Sequence, residues 1–128
     1  MTKRLVATGR VGNLRDTLLE GNTGYQNKPA YYYLRTTDKL PRLDEIDELD
    51  LSGIVAKVKL FDPTGSWTWY IAAYTPEEHA AFGYVEGWAN EVGSIWMPGL
   101  VEFRGRMGLP IERDLHWKPQ SLQSLLRG

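Results

Sequence analysis

The chain contains no cysteine. That removes disulfides, thiolate zinc sites, iron–sulfur clusters and cysteine nucleophiles together. It has no apolar run near the roughly 20 residues needed to span a bilayer. Its opening, Met1 to Thr8, is cut by Gly9 too early for a signal peptide. The reading is a cytoplasmic protein with no membrane partner. No sign of charge dominates either: 15 Lys and Arg stand against 16 Asp and Glu, so no global field directs the chain to nucleic acid or an anionic surface. No P-loop or dinucleotide fingerprint is present. Ser66 follows Gly65, but in a turn between strands, not in the strand-to-helix elbow of a serine nucleophile. No cofactor is implied.

What is present is an ordinary globular balance. The 128 residues are 42% hydrophobic and 24% charged, which excludes wholesale disorder and suits one domain with a real core. The charge is uneven along the chain. Residues 1–40 hold seven Lys and Arg and three acids, while residues 41–70 hold three bases and six acids. This is either a self-complementary surface or a basic binding patch hidden by the neutral total.

The residue pattern predicts an α+β domain built on antiparallel β-hairpins that form a curved sheet, with a few short helices. Residues 4–8 read as a strand, and residues 11–20 as either a strand pair or a helix. Turns are expected at 22–24 and 27–29, and an aromatic-rich strand over 30–36. Leu43, Ile46 and Leu49 share a three-residue spacing that predicts a short amphipathic helix over 42–50. The clearest element is a hairpin: strands over 54–61 and 67–74 joined by Asp62-Pro63-Thr64-Gly65-Ser66, with Pro63 at the first turn position. The face carrying Trp67, Trp69, Ile71 and Ala73 is expected to be core, and Lys57 and Lys59 to lie beside Tyr70 across the strands. Thr75-Pro76-Glu77-Glu78 starts a single helical turn. A second hairpin runs over 82–86 and 91–96, followed by a helical turn at 98–103, a loop at 104–108 and an extended segment over 111–117. A C-terminal helix after Pro119 bears Leu122, Leu125 and Leu126.

From Leu40 to Pro119 the chain resembles a bacterial domain-of-unknown-function family, the two-nine-five-eight family. The matching residues include Leu40-Pro41, Val58-Lys59-Leu60-Phe61 with Pro63, Trp67-Thr68-Trp69-Tyr70 and Phe82-Gly83. Arg104-Gly105 and the run Gly108-Leu109-Pro110-Ile111-Glu112-Arg113-Asp114-Leu115-His116-Trp117 complete the match. The resemblance implies a shared fold and ancestry in plasmids, phages and other mobile elements; it implies no reaction. The chain departs from the family pattern twice. Ala73 stands where an acid is usual, and Trp96-Met97-Pro98-Gly99 replaces a short helix with a hydroxyl cap and a glutamate. The division expected is an N-terminal extension, 1–39, packed on or beside a family domain, 40–128. Within the extension, Leu5 to Gly12 and Lys28 to Tyr31 partly resemble the first strands of a single-stranded-DNA-binding OB-fold.

Two sets of residues carry candidate chemistry. Glu112, Asp114 and His116 fall on one face of an extended segment by alternation. They are candidate ligands for a divalent metal or acid/base groups of a hydrolase; the structural alternative is pairing with Arg104, Arg106 or a lysine. The second set is aromatic and basic: Tyr31, Tyr32, Tyr33, Arg35, Trp88, Arg104 and Arg106. Three consecutive tyrosines cannot all face one side of a strand, and Trp88 sits in a Gly-Trp-Ala-Asn turn. Rings beside arginines suit a protein-interface hot spot, or single-stranded nucleic acid, whose bases stack on rings. The expected function is thus a non-catalytic accessory protein that binds a protein partner, with single-stranded nucleic-acid binding and metal-dependent hydrolysis as the alternatives.

Overall fold

A computed structural model describes residues 31–128. The expectations for residues 4–8, 11–20, 22–24 and 27–29, and the OB-like opening, lie outside the described residues. The elements in chain order are β1 (Val55–Ala56), β2 (Val58–Phe61), β3 (Thr68–Thr75), β4 (Ala80–Glu86), β5 (Asn90–Trp96), α1 (Met97–Glu102), β6 (Glu112–Arg113), β7 (Gln120–Ser121) and α2 (Leu122–Arg127). Five strands form one antiparallel sheet in the order β5-β4-β3-β2-β6, and β1 pairs with β7 in a second, two-stranded sheet. The fold is α+β.

Both hairpins form. β2 and β3 join through the Asp62 turn with Leu60 opposite Trp69, and β4 and β5 join through Gly87 to Ala89. The long sheet is buried on both faces. One face packs Val58, Leu60, Trp69, Ile71, Tyr74 and Ile95 with Met97 and Leu100 of α1. The other packs Tyr70, Ala73, Phe82 and Tyr84 against Ala56 and Leu122. Lys59 lies opposite Tyr70, with its ammonium 5.9 Å from the Tyr70 ring and 5.6 Å from that of Trp117. Lys57 instead reaches the carbonyl of Lys39 at 2.9 Å.

Five expectations are corrected. The strand expected over 54–61 is split at Lys57, because β1 turns to pair with β7 while β2 joins the large sheet. Alternation along β3 slips at a bulge between Ile71 and Ala73, so Ala73 packs with Phe82 on the face opposite Trp69 and Ile71. One extra residue on a strand reverses every side chain beyond it. The helix expected over 42–50 is only a 3-10 turn, Leu43–Glu45, ended by extended Ile46. Leu43 and Ile46 still pack on the second cluster; Leu49 is exposed, and its N–H bonds the Asp47 carboxylate at 3.0 Å. A side chain that bonds the backbone two residues on competes with the helix. Residues 31–36 form no strand; the chain bends and enters a 3-10 turn, Thr36–Asp38. The turn expected at 98–103 and the C-terminal helix both form, but the short helix is not replaced at Trp96-Met97-Pro98-Gly99: α1 forms there, lacking the side-chain cap and carrying Pro98 in its first turn. Ser121 caps α2 by accepting from the N–H of Ser124 at 3.0 Å.

Buried phenols give the fold an alkaline limit. Burial pushes the Tyr33 and Tyr74 phenols up and that of Tyr70 to about 12. In the unfolded chain these groups ionise near 10. Above that pH the folded state retains protons that the unfolded state has lost, so stability falls as pH rises. It is fully present below about pH 10. In an alkaline titration, tyrosinate absorbance and loss of near-ultraviolet circular dichroism should rise together. Full tyrosine ionisation with intact circular dichroism would contradict this.

Candidate aromatic and basic interface

The sheet has one end where the chain turns three times. The β2–β3 and β4–β5 turns lie there, because Thr68 is paired with both Phe61 and Glu86, and Glu86 with Asn90. The segment after α1 joins them: the backbone N–H of Arg106 donates to Thr64 Oγ1 at 2.9 Å, and that hydroxyl donates to Asp62 Oδ1 at 3.0 Å. Trp88, Arg104 and Arg106, on two separate loops, are thus carried on one end of the sheet.

A string of rings runs into this end from the core. Phe103 meets Trp69 edge-on at 5.7 Å, Trp69 stacks on Trp67 at 5.8 Å, and Trp67 touches Trp88 at 6.0 Å. From Trp69 outward exposure grows: Trp69 is buried, Trp67 half-buried and Trp88 94% exposed. The Trp67 ring lies directly over Gly87, where a Cβ would collide with it. Glycine therefore lets the ring approach the β4–β5 turn beside Trp88. Arg104 and Arg106 are exposed. Arg104 donates to the carbonyls of Val101 at 3.1 Å and Phe103 at 2.7 Å. Exposed Met107, held at a left-handed φ of 61°, adds an apolar group that residue pattern did not flag. Trp96, at the far end of β5 and outside this surface, is also 63% exposed. A strand-end position reads as core or surface only once its neighbours are known.

The tyrosine run belongs elsewhere. Tyr33 is fully buried, and its hydroxyl donates to the carbonyl of Ile111 at 2.6 Å. Tyr31 and Tyr32 are half-buried against the same cluster, and the Tyr31 hydroxyl accepts from the N–H of Arg113 at 3.0 Å. Arg113 completes the clasp. Its guanidinium donates to the Tyr33 carbonyl at 2.8 Å and forks onto the Asp38 carboxylate at 2.8 and 2.7 Å. Tyr33 is therefore corrected from contact residue to core residue: the rings fasten residues 31–38 to the domain. Arg35 is half-buried beside this clasp, and its N–H donates to Asp38 Oδ2 at 2.8 Å. Burial and then the neighbouring Arg113 charge lower its guanidinium pKa.

The Glu112–Asp114–His116 face does not assemble either. β6 is only two residues long, with Glu112 opposite Phe61 and Arg113 opposite Leu60. At Asp114 the chain turns: Oδ1 accepts the N–H of His116 at 2.8 Å, and Oδ2 pairs with Lys59 at 3.7 Å. Alternation ends there. Among the described residues no three His, Asp or Glu side chains converge as a metal site would require.

This geometry sits in a recognisable sequence class. The chain matches the family described as "Protein of unknown function (DUF2958)" over residues 42–126, well over half its length, and belongs to that family. No curated protein matches the chain, and no solved structure does. Among the described residues, no helix is long and apolar enough to cross a membrane.

Proposed function

We propose that the protein is a non-catalytic accessory factor of a plasmid or phage that works in the cytoplasm. In this reading it binds a protein partner through the end of the sheet bearing Trp88, Arg104 and Arg106. A counter-defence or regulatory role fits this company. The observation that carries the reading is Trp88, whose ring lies 6.0 Å from that of Trp67 and stands 94% in solvent. A ring that size buries roughly 200 Å² on contact. At about 25 cal/mol per Å², that is a gross gain near 5 kcal/mol. Ordering the ring on binding subtracts part of that gain. Trp and Arg are also the residue types that dominate interface energetics.

The test compares wild type with Trp88→Ala and Arg106→Ala, in quantitative capture from host lysate and in titrations with the captured protein. Each variant should weaken binding at least tenfold and leave the melting temperature nearly unchanged, since neither side chain is part of the core. Undiminished capture by Trp88→Ala would overturn the reading. Single-stranded nucleic acid is the second reading, favoured by rings spaced near 6 Å beside two arginines. It would appear in the same titrations as oligonucleotide binding that falls steeply with salt; flat anisotropy at low salt excludes it.

A further inference from the structure

On the face of the sheet opposite the tryptophan string, β2 and the Asp114 turn border an open depression of about 530 Å³. Small-molecule sites typically measure roughly 300–1,000 Å³. Phe61 and Leu115 supply its apolar surface, and Lys59, Asp62, Asp114 and His116 its polar groups.

Both cations on its wall, Lys59 and Arg113, are ion-paired, and one wall carboxylate is not. Lys59 is answered by Asp114 at 3.7 Å. Arg113, which also lines the depression, is answered by Asp38 at 2.7 Å. Asp62 has no cation among the described residues, although it is only 7% exposed. Its Oδ1 accepts from the N–H and the hydroxyl of Thr64, both at 3.0 Å. Its Oδ2 receives no donor among the described residues. Buried carboxylate oxygens are almost always hydrogen-bonded, and an exception calls for a donor from outside the chain. A buried charge further calls for an opposite one.

We propose that this depression binds an organic cation, an amine or guanidinium, with its donors on Asp62 and its aliphatic part against Phe61 and Leu115. Asp62 supplies a carboxylate with no cation partner among the described residues and an oxygen that none of them bonds. A planar guanidinium or a compact ammonium satisfies both at once. The cation can come from a free small amine or from an arginine or lysine side chain of a peptide. The two sites share the Asp62–Thr64–Arg106 link, so Leu115→Arg, which leaves that link intact, separates failure of this site from failure of the Trp88 surface.

Agmatine and a blocked Gly-Arg-Gly peptide are the probes, titrated into the full chain and followed by backbone amide shifts, with the citrulline analogue of the peptide as the uncharged control. Shifts at Gly65, Thr68 and His116 are expected with a charged probe and not with the control. Asp62→Asn keeps the acceptor for Thr64 but removes the charge, and should weaken binding at least tenfold. Leu115→Arg, at an exposed position on the rim, should block the site with its own guanidinium and serves if Asp62→Asn folds poorly. Agmatine binding with no peptide binding assigns the site to a small amine; tighter peptide binding assigns it to a side chain. No shift with either charged probe at millimolar concentration, equal shifts with the citrulline control, or full binding by both variants would overturn the proposal.

Discussion

Asp38→Ala is expected to destabilise the protein by about 3–5 kcal/mol, the cost of leaving one member of a buried ion pair without the other. The Asp38 and Arg113 side chains are only 8% and 12% exposed, and their contact is a two-pronged fork. Removing the carboxylate strands a guanidinium that still bonds the Tyr33 carbonyl but has lost its counter-charge. For a chain this size the melting temperature should fall by roughly 10–20 °C. Replacing both partners, Asp38→Leu with Arg113→Met, should recover much of the loss, because an apolar pair carries no desolvation cost. Glu77→Ala is the internal comparison. Its pair with Arg42 is also two-pronged but lies in solvent, where screening leaves little net effect. Chemical denaturation of the three variants decides the matter: an Asp38→Ala loss no larger than that of Glu77→Ala would show that the clasp holds nothing.

Gly83→Ala should be the most damaging single methyl addition in the large sheet. Gly83 lies opposite Ile71, just before the bulge, where the strands approach so closely that a Cβ would run into the carbonyl oxygen of Tyr70. A Cβ has no rotamer with which to escape, and the obstacle is backbone, so β4 would have to separate from β3. A loss above about 4 kcal/mol, or failure to fold, is expected. Gly93, its direct partner on β5, has open space where a Cβ would go. Gly93→Ala should be neutral or slightly stabilising, since it restricts the unfolded chain. Matched melting temperatures for the two variants would refute the steric argument.

Both hairpins were legible because each joins neighbouring segments through a short turn rich in Pro, Gly or Asn. Trp88 was legible as an exposed ring for the same local reason: a four-residue turn offers no interior in which to bury it. The tyrosine run was not. Tyr33 is buried by Ile111, and its carbonyl bonded by Arg113, 78 and 80 residues away. Alternation along 30–36 carries no trace of such distant partners. Asp114 looked like a member of a metal face because strict alternation was extended past Arg113. The structure ends the strand there, and the carboxylate turns to its own backbone and to Lys59.

By itself, the sequence determined the α+β class, the two hairpins and the absence of cysteine chemistry, because these depend on residue types and on contacts close along the chain. Only the tertiary structure decided which aromatics are core, which arginines share one end of the sheet and which carboxylate is left without a cation. Those outcomes depend on the bulge, the Arg113 clasp and the convergence of three turns, and each is set by packing between residues that lie far apart in sequence.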